Sequence, residues 1–172
     1  MCKMVFCARA FTIIEILIVV VLLAIAGMMV VPMMSSAASI QIESAANIVA
    51  ADLEYAKSMA ISRGQNFSVV FDETTESYQI FKDQGGILVP IEHPVKKGFD
   101  YKVNFSSDSR LNRVDIFDAD FDGTNTVQFD YLGSPLKGNG TALNSGVISL
   151  RAAGVTKTIR VEPVTGYISI GN

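Results

Sequence analysis

The sequence predicts an α+β fold: a long N-terminal helix, membrane-spanning in its first half and amphipathic in its second, packed on an antiparallel β-sheet or β-sandwich. Three observations lead there. Residues 13–34 form one apolar run, residues 42–60 repeat apolar side chains at three- and four-residue steps, and from residue 66 the period falls to two. Helix and strands follow one another along the chain instead of alternating, which is the α+β pattern. Four segments result: a leader over 1–10, a transmembrane helix over 11–34, its amphipathic continuation over 35–63, and a β domain over 64–172.

The leader carries Lys3 and Arg9 and meets the apolar run at Ala10, Phe11 and Thr12. Residues 16–31 contain no charged or strongly polar side chain. As a helix, residues 13–34 reach about 33 Å at about 1.5 Å per residue, enough for a bilayer core. Glu15 is the one charge in this stretch. A carboxylate costs about 2.5–3.5 kcal/mol at mid-bilayer and less toward the interface, so its retention calls for a neutralising partner. Cleavage after Ala10 would supply one, because the new α-ammonium of Phe11 lies about one helical turn from Glu15. A cleaved secretory signal fits poorly: the apolar run exceeds the usual 7–15 residues. A lipoprotein site at Cys7 lacks a small residue before the cysteine.

The 172-residue chain holds 14 basic and 17 acidic residues, a net charge of −3. Loss of Lys3 and Arg9 leaves 12 against 17, or −5. Both cysteines, Cys2 and Cys7, lie in the leader, so the processed chain has no disulfide and depends on core packing. Basic residues ahead of the span, with no comparable cluster after it, place the N-terminus in the cytoplasm and the C-terminal domain on the far side of the membrane.

Beyond the span, Ile42, Ala45, Ala46, Val49, Leu53, Ala56 and Met59 or Ala60 form one apolar face. Gln41, Glu43, Asn47, Asp52, Glu54 and Lys57 occupy the rest. Arg63 followed by Gly64 ends the helix, a cation in the last turn and then a glycine. Pro32 falls inside it and predicts a kink or local melting over residues 27–32, or else marks the membrane exit. Strands are expected over 67–71, 78–81, 101–105, 127–129, 146–150, 158–161 and 167–170, with turns at 72–75, 84–86, 122–123 and 152–154. Their division between one sheet and two stays open.

The junction at Ala10, Phe11 and Glu15 closely resembles the type IV pilin and pseudopilin family, in which a basic leader is cut before an aromatic residue that is then N-methylated. Ala10 departs from the glycine usual before that cut. Residues 53–63 with the following strand, and the segments 129–135 and 159–166, are similar to the GspH/FimT family of minor pseudopilins. The resemblance implies cleavage between Ala10 and Phe11 by a prepilin peptidase and N-methylation of Phe11. It implies assembly through Glu15, with Thr12 and Pro32, into a periplasmic filament with other pilins or pseudopilins on an inner-membrane assembly platform. It leaves open a type II secretion system or a type IV pilus contributing to DNA uptake.

No residue set supports catalysis: His93, the single histidine, sits beside Pro94 in an expected loop, and nucleophile–base and zinc arrangements lose their usual members. An enzyme is not expected. Some relatives of the FimT type bind DNA through basic residues near their C-termini, but here the tail after Gly166 has no cation and the chain is acidic, which argues against nucleic acid. Lys96, Lys97 and Lys102, or Arg110 with Arg113, are the alternative small patches. Asp118, Asp120 and Asp122 before Gly123 match the opening half of a calcium loop, with Phe129 where the bidentate glutamate belongs; the same Asp-Gly pair is also a common hairpin turn.

Overall fold

The computed structural model describes residues 12–171, and of residues 28–37 the backbone alone. Helix α1 runs over Ile13–Arg63. It stops as expected: Gly64 adopts φ 62°, and the Gln65 N–H reaches back to the Ala60 carbonyl at 3.3 Å, the six-to-one bond of a Schellman end. The chain divides into two compact units, Met1–Ala37 and Ala38–Asn172, and α1 contributes to both. Position 32 lies within the assigned helix, while the Pro32 side chain lies outside the described residues.

In the larger unit the helix buries one stripe: Ala38, Ile42, Ala45, Ala46, Val49, Leu53, Ala56 and Ala60 are all 2% exposed or less. Six or seven of these positions are the ones that the three- and four-residue periodicity selects. Their small side chains let the helix backbone approach a sheet closely, and the large groups come from the strands and the turn after β4: Phe67, Phe71, Tyr78, Phe105, Phe121 and Phe129 are fully buried. One contiguous cluster joins both sets.

Among the described residues ten strands form two antiparallel sheets. The first comprises β1 (Phe67–Asp72), β2 (Ser77–Asp83), β3 (Leu88–Pro90), β4 (Lys102–Asn104), β6 (Thr126–Phe129) and β7 (Pro135–Lys137), in the order β3-β2-β1-β6-β7 with β4 also pairing β2. The second comprises β5 (Asp115–Phe121), β8 (Gly146–Ala152), β9 (Val155–Val161) and β10 (Ile168–Gly171), in the order β10-β9-β8-β5. Phe71 lies 5.4 Å from its cross-strand partner Tyr78 within the first sheet and reaches across to Phe121 of the second at 5.8 Å.

Turn chemistry sets the registers. Asp122 and Gly123 join β5 to β6 with φ 52° and 83°, the pair of positive values a two-residue primed turn requires, and Phe121 and Thr124 exchange backbone bonds across it. Ala153 and Gly154 repeat the device between β8 and β9. In the β1–β2 loop, the Asp72 carboxylate accepts the Thr74 and Thr75 N–H groups. The same loop reaches the other sheet: Glu73 accepts the Ala119 N–H and Glu76 the Ile116 N–H, satisfying donors on β5, an edge strand.

Strands β3, β5 and β7 were not expected from periodicity. In β5 a bulge between Ile116 and Asp118 breaks the alternation, turning Phe117 and Asp118 both outward while Ile116, Ala119 and Phe121 point in. Three aspartates further lower its β propensity. β3 and β7 are three-residue edge segments that each contain a proline, which suits only an edge.

Candidate functional site

Among the described residues, the largest run of exposed apolar side chains lies at the start of α1. From Ile13 to Ile25 every large apolar side chain is exposed, from 47% at Val19 to 87% at Ile13. These side chains lie on all sides of the helix, so no face is reserved for water. Such a surface calls for cover by lipid or by other helices. Among the described residues no helix is long and apolar enough to cross a membrane; the apolar run continues into residues 28–34, whose side chains lie outside the description.

Thr12 begins this helix as its N-cap. Its hydroxyl accepts the Glu15 N–H at 3.3 Å, and its carbonyl accepts from Glu15 and Ile16. Glu15 then stands in the first turn, where a carboxylate complements the positive end of the helix dipole. Thr12, Ile13, Ile14 and Glu15 have the spacing of a capping box, a local signal that a reading centred on the membrane cost of Glu15 overlooks. Ala10 and Phe11 lie outside the described residues, so cleavage and the Glu15 ion pair remain expectations.

The larger unit buries one carboxylate. Asp52, 9% exposed, accepts hydrogen bonds from the Tyr78 hydroxyl at 2.6 Å and the Tyr101 hydroxyl at 2.7 Å. Burial raises its pKa above the ordinary aspartate value, against the lowering effect of the two hydroxyls, and both tyrosines are pushed up by burial and by the carboxylate. Asp52 was expected on the polar face. It is i+3 from Val49 and i−4 from Ala56, at the edge of the buried stripe, and two tyrosines, one from β2 and one from just before β4, make that position tenable. Among the described residues no buried side-chain nitrogen or oxygen lacks a partner, so the network is a completed strap between helix and strands. Two further straps hold the helix: Lys57 donates to the Gly166 carbonyl at 2.9 Å and Lys157 pairs with Glu43 at 2.9 Å.

His93 is half-buried, its ring stacked 4.5 Å from Tyr101, and its Nδ1 accepts the Val95 and Lys96 N–H groups. Its acceptor nitrogen thus shapes a loop and faces no nucleophile. The three aspartates of the half calcium loop do not converge: Asp118 and Asp120 face outward on β5, Asp120 accepts the Gly123 N–H, and Asp122 accepts from Asn144 and Ser145. Among the described residues no three His, Cys, Asp or Glu side chains are grouped to hold a metal. The hairpin turn, the alternative reading of Asp122 and Gly123, is what forms, and it commits Asp120 to the Gly123 N–H and Asp122 to the Asn144–Ser145 loop. Of the basic pairs, Arg110 is bound to Asp108 at 2.7 Å, and that contact draws the half-buried Asp108 carboxyl down to about 2.

A family model described as the type II transport protein GspH matches residues 45–165. The chain belongs to the GspH family. Its members are structural pseudopilins and not enzymes. Among solved structures, the minor pseudopilin EpsH of the type 2 secretion system of Vibrio cholerae matches with a TM-score of 0.55 at 11% identity, covering 75% of this chain and 94% of that one. The type IV minor pilin FimU of Pseudomonas aeruginosa aligns at 0.48 and 16% identity, covering 76% of this chain and 87% of that one. At these identities EpsH speaks to the fold: an N-terminal helix on antiparallel sheets. Among curated proteins none matches the chain.

Proposed function

We propose that this chain is a minor pseudopilin of a type II secretion system, a non-catalytic subunit of a periplasmic filament held in the inner membrane before assembly. The observation that carries the reading is the helix segment from Ile13 to Ile25, apolar on all sides and uncovered, leading a β unit whose own core is complete. In the bilayer that surface is covered by lipid; in a filament, by the same segment of neighbouring subunits. Residues 1–10 act as the leader, 11–34 as the anchor and assembly helix, 35–63 as its continuation and 64–172 as the exported β domain. Prepilin peptidase cuts between Ala10 and Phe11, Phe11 is methylated, and its ammonium pairs with Glu15. Thr12 fixes the helix start that sets this spacing.

The test is Glu15→Ala in the native host. Membrane insertion and cleavage continue, while cross-linking of the chain into filaments is lost; filament incorporation at the wild-type level would refute the assembly role. A type IV minor pilin is the second reading, favoured by the same helix. Deletion of the gene separates them: lost protein release with normal pili supports the secretion system, and lost pili or DNA uptake with normal release supports the pilus.

A further inference from the structure

We propose that the β unit carries a binding cleft for an acidic, partly apolar peptide segment of a partner protein, at the end of α1. A cavity of about 500 Å³ opens between the last turns of the helix and the strands β2 and β3. One wall is Tyr55, Met59 and Arg63, a stripe of α1 at four-residue steps. Lys82 from β2 and Lys97 from the β3–β4 loop face the same space.

Charge identifies the occupant. Among the described residues the ion pairs are Lys57–Glu54, Arg110–Asp108 and Lys157–Glu43, so Arg63, Lys82 and Lys97 bring three unpaired cations to one cleft of a chain whose overall charge is −3. The carboxylate in the lining, Glu92, accepts the Gly98 N–H at 2.6 Å and braces the loop that carries Lys97. Concave, low-dielectric walls strengthen the attraction of an anion by such a cluster. The floor between the cations is partly apolar: Met59 adapts to the shape of what enters, and Ile91 is partly buried against the core. A bare polyphosphate leaves that floor unused, whereas a peptide alternating carboxylates with leucine-like side chains satisfies both parts. The chain's net negative charge further disfavours nucleic acid.

The full-length chain in an uncharged detergent is titrated with a capped hexapeptide of sequence Glu-Leu-Glu-Glu-Leu-Glu and, separately, with a twelve-nucleotide thymidine strand. The expected result is peptide binding that weakens with added salt. Arg63→Ala with Lys82→Ala and Lys97→Ala reduces it at least about tenfold, while Lys96→Ala with Lys102→Ala leaves it unchanged. Should loss of Arg63 fray the helix end, Lys82→Gln with Lys97→Gln keeps that residue and still gives a smaller loss in the same direction. Absence of salt-sensitive peptide binding, or equal binding by the triple variant, overturns the proposal. Tighter binding of the thymidine strand assigns the cleft to phosphate and overturns it too. The assay needs no filament, so its outcome is independent of the pseudopilin reading.

Discussion

From residue 38 to residue 60, α1 is amphipathic in the ordinary way: Ala45, Ala46, Val49 and Ala56 have no solvent exposure, and Glu43, Asn47 and Glu54 face out. From residue 13 to residue 25 the same helix has no inside, and Ile, Leu and Val occupy every direction. Backbone conformation is common to both, so the difference lies in what each sequence asks of its surroundings. The second segment finds its cover within the chain; the first has to find it elsewhere. Stability therefore resides in one half and, on the proposed function, assembly in the other.

The largest effects come from placing a carboxylate in each half. Ala46→Asp buries an unpaired charge against the sheet and should cost more than about 3 kcal/mol, enough to unfold a marginal unit. Leu22→Asp should leave the thermal transition of the β unit where it is and instead reduce recovery of the chain in membranes, since a carboxylate near a span centre costs about 2.5–3.5 kcal/mol of insertion. Circular dichroism melts and membrane flotation of both variants check this. A lowered transition for Leu22→Asp would break the division between the halves.

Asp52 offers a sharper test, because it is a carboxylate the buried half already tolerates. Asp52→Ala leaves the Tyr78 and Tyr101 hydroxyls without their acceptor and should cost roughly 2–3 kcal/mol in denaturant unfolding. The pH dependence has a definite sign. Burial raises the native pKa of Asp52, so its contribution is fully present below the ordinary aspartate value of 3.8 and is lost as pH rises through the raised one. Asp52→Asn, which keeps the shape and cannot ionise, should flatten that decline. An unchanged slope in Asp52→Asn would mean that the carboxylate is not the titrating group.

How far the sequence reveals all this depends on whether a signal is local. The buried stripe of α1, its Arg63–Gly64 end and the hairpin turns at Asp122–Gly123 and Ala153–Gly154 rest on period and backbone preference, and all were legible. Strand β5 was not, because the bulge after Ile116 shifts its phase and the donors it exposes are met by Glu73 and Glu76, 46 and 40 positions earlier in the chain. Asp52 was placed on the polar face because nothing near it announces Tyr78 and Tyr101. The cleft cations Arg63, Lys82 and Lys97 are likewise scattered, and only the pairing of β2 with β3 across from the helix end gathers them.

Another comparison sets Gly166 against Gly140. Both have positive φ, 59° and 81°, but a Cβ at Gly166 would meet the Gly133 carbonyl at 2.7 Å, while at Gly140 it would enter open space. Gly166→Ala should therefore destabilise by about 1–3 kcal/mol and weaken the Lys57 bond to the residue 166 carbonyl; Gly140→Ala should show the smaller backbone term alone, about 1 kcal/mol. Equal losses would mean that the close approach of the two loops contributes nothing.

The smallest effect belongs to Thr12. Removing its hydroxyl in Thr12→Ala takes away the acceptor for the Glu15 N–H and should cost about 1 kcal/mol, confined to the first turn. Faster amide exchange at Glu15 and Ile16 in micelles, with an unchanged melt of the β unit, is the expected pattern. The consequence for assembly should exceed the energy, since a frayed first turn no longer holds Glu15 at a fixed distance from the chain start. Thr12→Ser, which restores the acceptor, should recover both the protection and the filament yield. If Thr12→Ser restores protection but not yield, the threonine acts through its methyl group against neighbouring helices and not through its cap.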